Sequence, residues 1–146
     1  MITLRPVTHN DRHLFAGSSY DTISPEGLQQ MLSASAAQNH GGKFFQLLAV
    51  MEGDCCVGFV SLFALDDGEI SCGPEIKPPY RKQGFATLAV KQAMAYAKTL
   101  GFTTAVAQVR TDNAASIALH KKLGFAQVKE YTNRKGNAVF QFEKIF

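Results

Sequence analysis

The 146-residue chain suits a single domain spanning residues 1–146, and its 46% apolar and 18% charged residues are typical of an ordinary globular protein. No apolar stretch is long enough to cross a bilayer, and the N-terminus lacks the apolar core of a signal peptide, so we expect a cytoplasmic protein with no membrane partner. The three cysteines lack the Cys/His spacing of a zinc site, so we expect reduced thiols and no metal.

Charge is distributed unevenly along the chain. Residues 1–76 hold three Lys or Arg against nine Asp or Glu, whereas residues 77–146 hold twelve against three. The basic half is expected to bind an anion, while the acidic half would attract a cation. Because the positive charges are spread over several predicted elements rather than forming one tract, a small polyphosphate is favoured over nucleic acid.

The first half of the sequence predicts a short strand, helices and then a meander. Residues 2–5 alternate as a strand that Pro6 ends, 8–18 suit a short helix, and Ser24-Pro25 begins a helix that stops at Gly41-Gly42. Three consecutive strands follow at 44–51, 55–65 and 69–76, joined by turns with hairpin chemistry. The third contains Gly73-Pro74, and a proline inside a strand implies a bulge or a break in the ladder.

The second half predicts alternating helices and strands. A long helix over residues 86–100 leads to a buried strand at 103–109, which should pair in parallel with the strand before the helix. Asp112 or Asn113 caps a further helix that Gly124 closes. Residues 125–132 and 138–146 then predict a final hairpin.

Between the third strand and the long helix lies a basic turn with the chemistry of an anion site. The first amides of a helix have no partners inside it and lie at the positive end of its dipole. Gly84 lets the backbone approach a ligand closely, and Arg81 and Lys82 add positive charge. Taken alone, this turn also fits a solvated basic loop, so its context must decide.

That context resembles the GNAT superfamily of acetyl-CoA-dependent N-acetyltransferases over nearly the whole chain. The stretch Arg81-Lys82-Gln83-Gly84-Phe85-Ala86 looks like the pyrophosphate loop of the family, and residues 113–125, which read NAASIALHKKLGF, look like its second conserved block. The resemblance implies an α/β fold with a central mixed sheet of about seven strands, splayed near the middle and flanked by about four helices. It also implies acetyl-CoA as the cosubstrate.

By the same resemblance, the backbone amides from Lys82 to Thr87 would hold the CoA pyrophosphate. The main chain at residues 75–77 would pair with the pantetheine arm like an added strand. Asn113 would contact the arm or shape its tunnel, and a helix N-cap is a compatible alternative. The implied cofactor-binding residues are Ile76, Lys77, Arg81, Lys82, Gln83, Gly84, Phe85, Ala86, Thr87 and Asn113.

The implied reaction is direct attack of a neutral amine on the thioester carbonyl, with a backbone amide of the splayed strand stabilising the oxyanion. His120 stands where the family usually has a tyrosine, and it would protonate the departing thiolate or have no role as an exposed helical residue. A base must take the proton of the amine, and the candidates are Glu69 and Glu75, which share a face if the strand is regular. For both, a solvated carboxylate is the alternative.

The acceptor would be a primary amine, for which a polyamine, an aminoglycoside, a lysine side chain and a protein N-terminus all remain open. A different class of function is a CoA-binding sensor or partner module without catalysis, and a nucleic-acid binder ranks behind both. The apolar residues that end the chain suggest a homodimer formed through the last hairpin.

Overall fold

The computed structural model describes residues 1–146 as one seven-stranded mixed sheet with helices on both faces. The sheet order is β1-β2-β3-β4-β5-β7-β6. The strands are β1 (Thr3–Pro6), β2 (Phe45–Glu52), β3 (Cys55–Ala64), β4 (Glu69–Ile76), β5 (Thr104–Arg110), β6 (Ala126–Thr132) and β7 (Ala138–Ile145). The α-helices are α1 (Pro25–Ala37), α2 (Phe85–Thr99) and α3 (Ala114–Lys122), and 3₁₀ helices span His9–Phe15, Ser19–Thr22 and Pro78–Tyr80.

The predicted strands and long helices are confirmed to within a residue or two at most ends. Pro6 is itself the last residue of β1, opposite Leu48, which an edge strand tolerates because one of its sides has no partner. The predicted short helix at residues 8–18 forms as 3₁₀ helix instead. Asp11 fixes it, accepting hydrogen bonds from the Arg5 guanidinium and from the Thr8 N–H at 2.7 Å.

Two apolar clusters cover the two faces of the sheet. The larger one packs α2 against alternate residues of β4, namely Ile70, Cys72 and Ile76. The smaller one packs α1 and the first 3₁₀ helix against β2 and β3. In the final hairpin Phe142 is fully buried while Ile145 is 80% exposed, so the terminal apolar residues are divided between core and surface. None of the helices has the length and hydropathy to cross a bilayer.

The sheet splays between β4 and β5. These strands pair in parallel over only three residues of β4, Glu69 to Ser71, after which β5 continues with β7 as its partner. The expected disruption at Gly73-Pro74 therefore occurs on one side of β4 only. On the other side β4 pairs with β3 in unbroken register from Ile70 to Ile76, so the predicted bulge is absent there.

The alternation of main-chain groups along a strand explains why β4 accommodates a proline at position 74. Lys77 N–H donates to Val57 C=O at 2.8 Å, and Leu65 N–H donates to Glu69 C=O at 2.8 Å. Odd-numbered residues of β4 thus direct their N–H and C=O groups at β3, and even-numbered residues direct theirs at β5. Pro74 faces the side that β5 has left, where its missing N–H breaks no ladder bond.

Candidate active site

A cleft of about 610 Å³ opens where β4 and β5 separate. Its walls are the end of β4, the turn into α2, and the first turns of α3. The lining residues are Pro74, Glu75, Ile76, Tyr80, Arg81, Lys82, Gly84, Phe85, Ala86, Thr87, Asn113, Ala115, Ser116 and Leu119. Two predicted motifs separated by about thirty residues in the sequence therefore meet across one cavity.

The turn into α2 presents a row of unpaired donors. The six consecutive N–H groups from Lys82 to Thr87, here called the amide nest, have no acceptor within the protein. No side chain caps α2 either, and its N-cap Gly84 has a φ of 82°, which a glycine adopts without strain. Lys82 also lies in the left-handed region, with a φ of 63°. These donors, at the positive end of a 15-residue helix, fit a doubly charged pyrophosphate.

Arg81 is partly committed to holding the turn in place. Its Nε donates to Ile76 C=O at 2.9 Å, which bends the side chain back over the end of β4. The remaining guanidinium nitrogens have no intramolecular acceptor. Arg81 therefore braces the turn against the strand while contributing its charge to the cleft.

The open edge of β4, meaning the main-chain groups beyond Cys72 that face away from β3, offers few donors. Lys77 N–H is already bonded to Val57, and Glu75 faces β3 as well. Because Pro74 has no N–H, Ile76 carries the one N–H group between Gly73 and Lys77 that is directed at the cleft. A pantetheine arm could pair there, through Ile76 alone of residues 75–77.

Asn113 stands at the entrance to α3 and has two functions available to it. Its Oδ1 accepts the Ser116 N–H at 3.1 Å, which is the predicted N-cap. Its Nδ2 has no partner in the protein and belongs to a side chain that lines the cleft. The cap and a contact with a bound ligand are therefore compatible in the structure.

The two candidate carboxylates lie at opposite ends of β4. Glu75 lines the cleft, and its carboxylate accepts the Ser19 N–H at 2.7 Å and a hydrogen bond from the Ser19 hydroxyl. Glu69 lies where β4 and β5 still pair, opposite Thr104, and does not line the cleft. Both side chains are on the α1 face, since the regular register with β3 preserves their parity.

His120 is on α3 but points away from the cleft. It is 2% exposed, its ring stacks against Phe142 at 5.9 Å between centroids, and Phe125 meets it edge-on at 5.0 Å. Nδ1 lies 2.7 Å from Ser116 C=O, to which it donates. Burial lowers the pKa of His120, and the hydrogen bond to Ser116 opposes this shift.

Sequence reasoning missed an aromatic group that packs next to Glu75 on the α1 face. Tyr20 packs edge-on against Phe59 at 5.6 Å, and Phe15 stacks on Phe59 at 4.6 Å. Burial, and to a lesser extent the negative charge of Glu75, raises the pKa of Tyr20. Ser19 and Tyr20 match no motif, and no sequence signal joined them to Glu75, 56 residues further on.

Gly58 was also missed, although a glycine inside a buried strand is a signal of close backbone approach. A Cβ atom at Gly58 would lie 2.1 Å from Glu75 C=O and 2.9 Å from Ile76 Cα. The lack of a side chain at this position of β3 therefore lets β3 and β4 come together beside the cleft.

Comparison with known proteins agrees with this geometry. Residues 2–126 match the family model described as the acetyltransferase (GNAT) domain. An aminoglycoside N(6')-acetyltransferase type 1 from Acinetobacter haemolyticus is 33% identical over 58 residues, which are 40% of this chain and 40% of that protein. The chain thus matches well under two thirds of the length of this relative.

Solved structures extend the likeness to the whole fold. A spermidine N-acetyltransferase from Vibrio cholerae, in complex with CoA and spermine, has a TM-score of 0.80 at 17% identity, covering 99% of this chain and 95% of that one. A putative acetyltransferase from Salmonella typhimurium with acetyl-CoA has a TM-score of 0.74 at 18% identity, covering 99% and 93%. At such identities the two structures establish a shared fold.

Proposed function

The chain belongs to the GNAT acetyltransferase family, and we propose that it transfers the acetyl group of acetyl-CoA to a primary amine by direct attack. The observation that carries this proposal is the amide nest, placed beside the open edge of β4 in one cleft. A polyphosphate with a long amide-bearing arm needs both features. Acetyl-CoA would supply the activated acyl group, and the chain's own residues would bind, orient and deprotonate.

Binding would begin at the amide nest. Its N–H groups would donate to the pyrophosphate. Arg81 and Lys82 would place positive charge beside it without a fixed contact to one of its oxygens. Ile76 would donate to the pantetheine arm as an added strand does, and Asn113 Nδ2 would face it from α3. These contacts would direct the arm from the amide nest toward the point where β4 and β5 begin to pair.

Glu75 is the base that we propose. A free alkyl amine is mostly protonated at neutral pH because its pKa is about 10, so a proton must leave before attack. Glu75 is the acidic side chain that lines the cleft, and its contact with Ser19 holds it between β4 and the 3₁₀ helix Ser19–Thr22. It would take the proton directly or through one water.

The acceptor would be a small cationic amine. Glu75 and the half-buried ring of Tyr20 lie close together on the α1 face, and the first half of the chain is acidic. Carboxylates and aromatic faces both favour an ammonium group. The similarity to proteins named for spermidine and aminoglycosides makes these two amine classes the first to test.

The position of His120 favours a second candidate, a CoA-binding sensor without catalysis. A neutral imidazole with its proton on Nδ1, bonded to Ser116 C=O, has no second proton to give to a thiolate. If the protein is an enzyme, water or another group must then protonate the departing thiolate. Binding without turnover would support the sensor.

The experiment is calorimetric titration of acetyl-CoA, followed by thiol release with spermidine, kanamycin and a lysine peptide. Gly84→Glu places a carboxylate at the nest and should abolish binding. Gly136→Glu is the matched control, because Gly136 has a φ of 81° and lies in a distant hairpin turn. Binding lost only in Gly84→Glu, with thiol release for any amine, supports the transferase. No binding by the native protein overturns it.

A further inference from the structure

The open edge of β4 has an unusual pattern of donors, because a proline occupies one of its outward-facing positions. Positions 74 and 76 face away from β3, and Ser71 is the last residue of β4 that pairs with β5. At position 76 an N–H is present, and at position 74 it is missing. The two positions are about 7 Å apart along the strand.

The order of these positions along the cleft gives the proline its importance. The amide nest lies beyond Ile76, so an arm that starts there passes position 76 first and position 74 second. Position 74 is therefore the one nearer the acetyl end of the arm. Pro74 lines the cleft, so its side of the strand is accessible to a ligand.

We propose that Pro74 withholds a main-chain hydrogen bond from the acetyl carbonyl, leaving Ile76 N–H as the single donor of the open edge and committing it to the arm. This inference rests on the proposed function. On this proposal, β4 helps to bind the cosubstrate, but its main chain does not polarise the acetyl carbonyl at which the amine attacks. Pro74 is thus a determinant of rate in this chain.

The chemistry shows why a missing donor matters. The amine nitrogen donates its lone pair to the carbonyl carbon, and the C=O π electrons move to oxygen. When they return, the C–S bond breaks, its electrons leave on the sulfur of CoA, and one proton passes from nitrogen to the base. A donor aimed at the oxygen stabilises the charge that develops there, and removing such a donor from an enzyme slows it by about 10² to 10³.

A substitution that restores the donor tests the proposal. Pro74→Ala adds an N–H directed at the cleft without disturbing the ladder with β3, which uses the odd-numbered residues. We expect the carbonyl stretch of bound [1-¹³C]acetyl-CoA, measured by isotope-edited infrared spectroscopy, to move to lower wavenumber than in the native protein. Thiol release with spermidine as the probe amine should rise by about tenfold, below the full effect of an evolved donor.

Two further measurements keep the result interpretable. In Pro74→Ala labelled with ¹⁵N-alanine, the new amide signal of position 74 should shift when acetyl-CoA is added, which also shows that the variant is folded. Pro79→Ala, in the 3₁₀ helix and outside the cleft lining, is the control for the backbone flexibility gained when a proline near the turn is replaced. It should leave the carbonyl frequency at its native value.

The outcomes separate this proposal from the proposed function. If native protein binds acetyl-CoA but Pro74→Ala leaves both the carbonyl frequency and the rate unchanged, the inference about Pro74 is overturned and the transferase stands. An equal frequency shift in Pro79→Ala overturns it as well. If the native protein does not bind acetyl-CoA, the proposed function fails, and this inference with it.

Discussion

The carboxylate of Glu75, at the end of β4, accepts the main-chain N–H of Ser19 at 2.7 Å and also the Ser19 hydroxyl. This contact joins the strand that borders the cleft to the 3₁₀ helix that carries Tyr20. A change at Glu75 can therefore act in two ways, by removing a base or by freeing the helix. The two effects are separable, because glutamine keeps an oxygen that accepts the Ser19 N–H.

Glu75→Gln should lower kcat by about 100-fold, since general base catalysis contributes about 10² to 10⁴. The KM for acetyl-CoA should change by less than about twofold, because the nest and Ile76 are untouched. Steady-state thiol release checks both constants.

Glu69→Gln is the matched control for this change, because Glu69 is on the same face of the same strand but does not line the cleft. Its kcat should stay near the native value. Equal losses in the two variants would contradict the assignment of the base to Glu75.

Gly58→Ala, on β3, should displace the end of β4 that lines the cleft. The added Cβ would lie 2.1 Å from Glu75 C=O, which is a backbone atom and must move. We expect the free energy of unfolding to fall by about 1 to 3 kcal/mol, as for other overpacked cores. Acetyl-CoA binding should weaken by roughly tenfold in calorimetry, because the Glu75–Ile76 peptide shifts.

Val57→Ala separates loss of stability from loss of geometry. Val57 is fully buried in the same strand, and its truncation should cost about 2 kcal/mol by leaving a cavity. The Val57 C=O still accepts the Lys77 N–H, so β4 should stay in place. If Val57→Ala weakens acetyl-CoA binding as much as Gly58→Ala does, general destabilisation is the cause.

Asn113 allows the helix cap to be tested apart from the cleft contact. Asn113→Ser keeps an oxygen that caps α3, so thermal stability should hold, while Asn113→Ala should lose about 1 kcal/mol of unfolding free energy. Both variants lack the Nδ2 donor, and in both the KM for acetyl-CoA should rise roughly fivefold, equivalent to one hydrogen bond. A native KM in Asn113→Ser would restrict Asn113 to capping.

The features that the sequence predicted well are those carried by local patterns. The meander, the turn into α2 and the cap at Asn113 depend on residues close together in the chain, and each is present. The row of unpaired N–H groups at this turn was predictable because unpaired amides at a helix start follow from backbone geometry alone. The parallel crossover from β4 to β5 followed from the strand-helix-strand order.

What escaped the sequence depends on which neighbour a residue faces. Gly73-Pro74 indicated a disrupted ladder, but only the folded sheet shows that β5 leaves while β3 stays. His120 follows the motif spacing, yet Phe125 and Phe142 enclose its ring on the side away from the cleft. The Ser19 contact with Glu75 joins segments that no short motif relates.

His120 gives the protein a pH-dependent stability that can be measured without any ligand. Its pKa is lowered in the folded state by burial, so between that value and the unfolded value of about 6.5 the unfolded chain binds one more proton. Stability should therefore fall as the pH drops from 7 toward 5, by up to about 1.4 kcal/mol per pH unit within this window. Urea unfolding at a series of pH values measures the slope.

His120→Leu should flatten this slope, because leucine fills much of the same apolar space against Phe142 and does not titrate. His13→Leu, on the exposed first 3₁₀ helix, is the control and should leave the slope unchanged. If the slope persists in His120→Leu, another group is responsible and the ring is not held neutral by its surroundings.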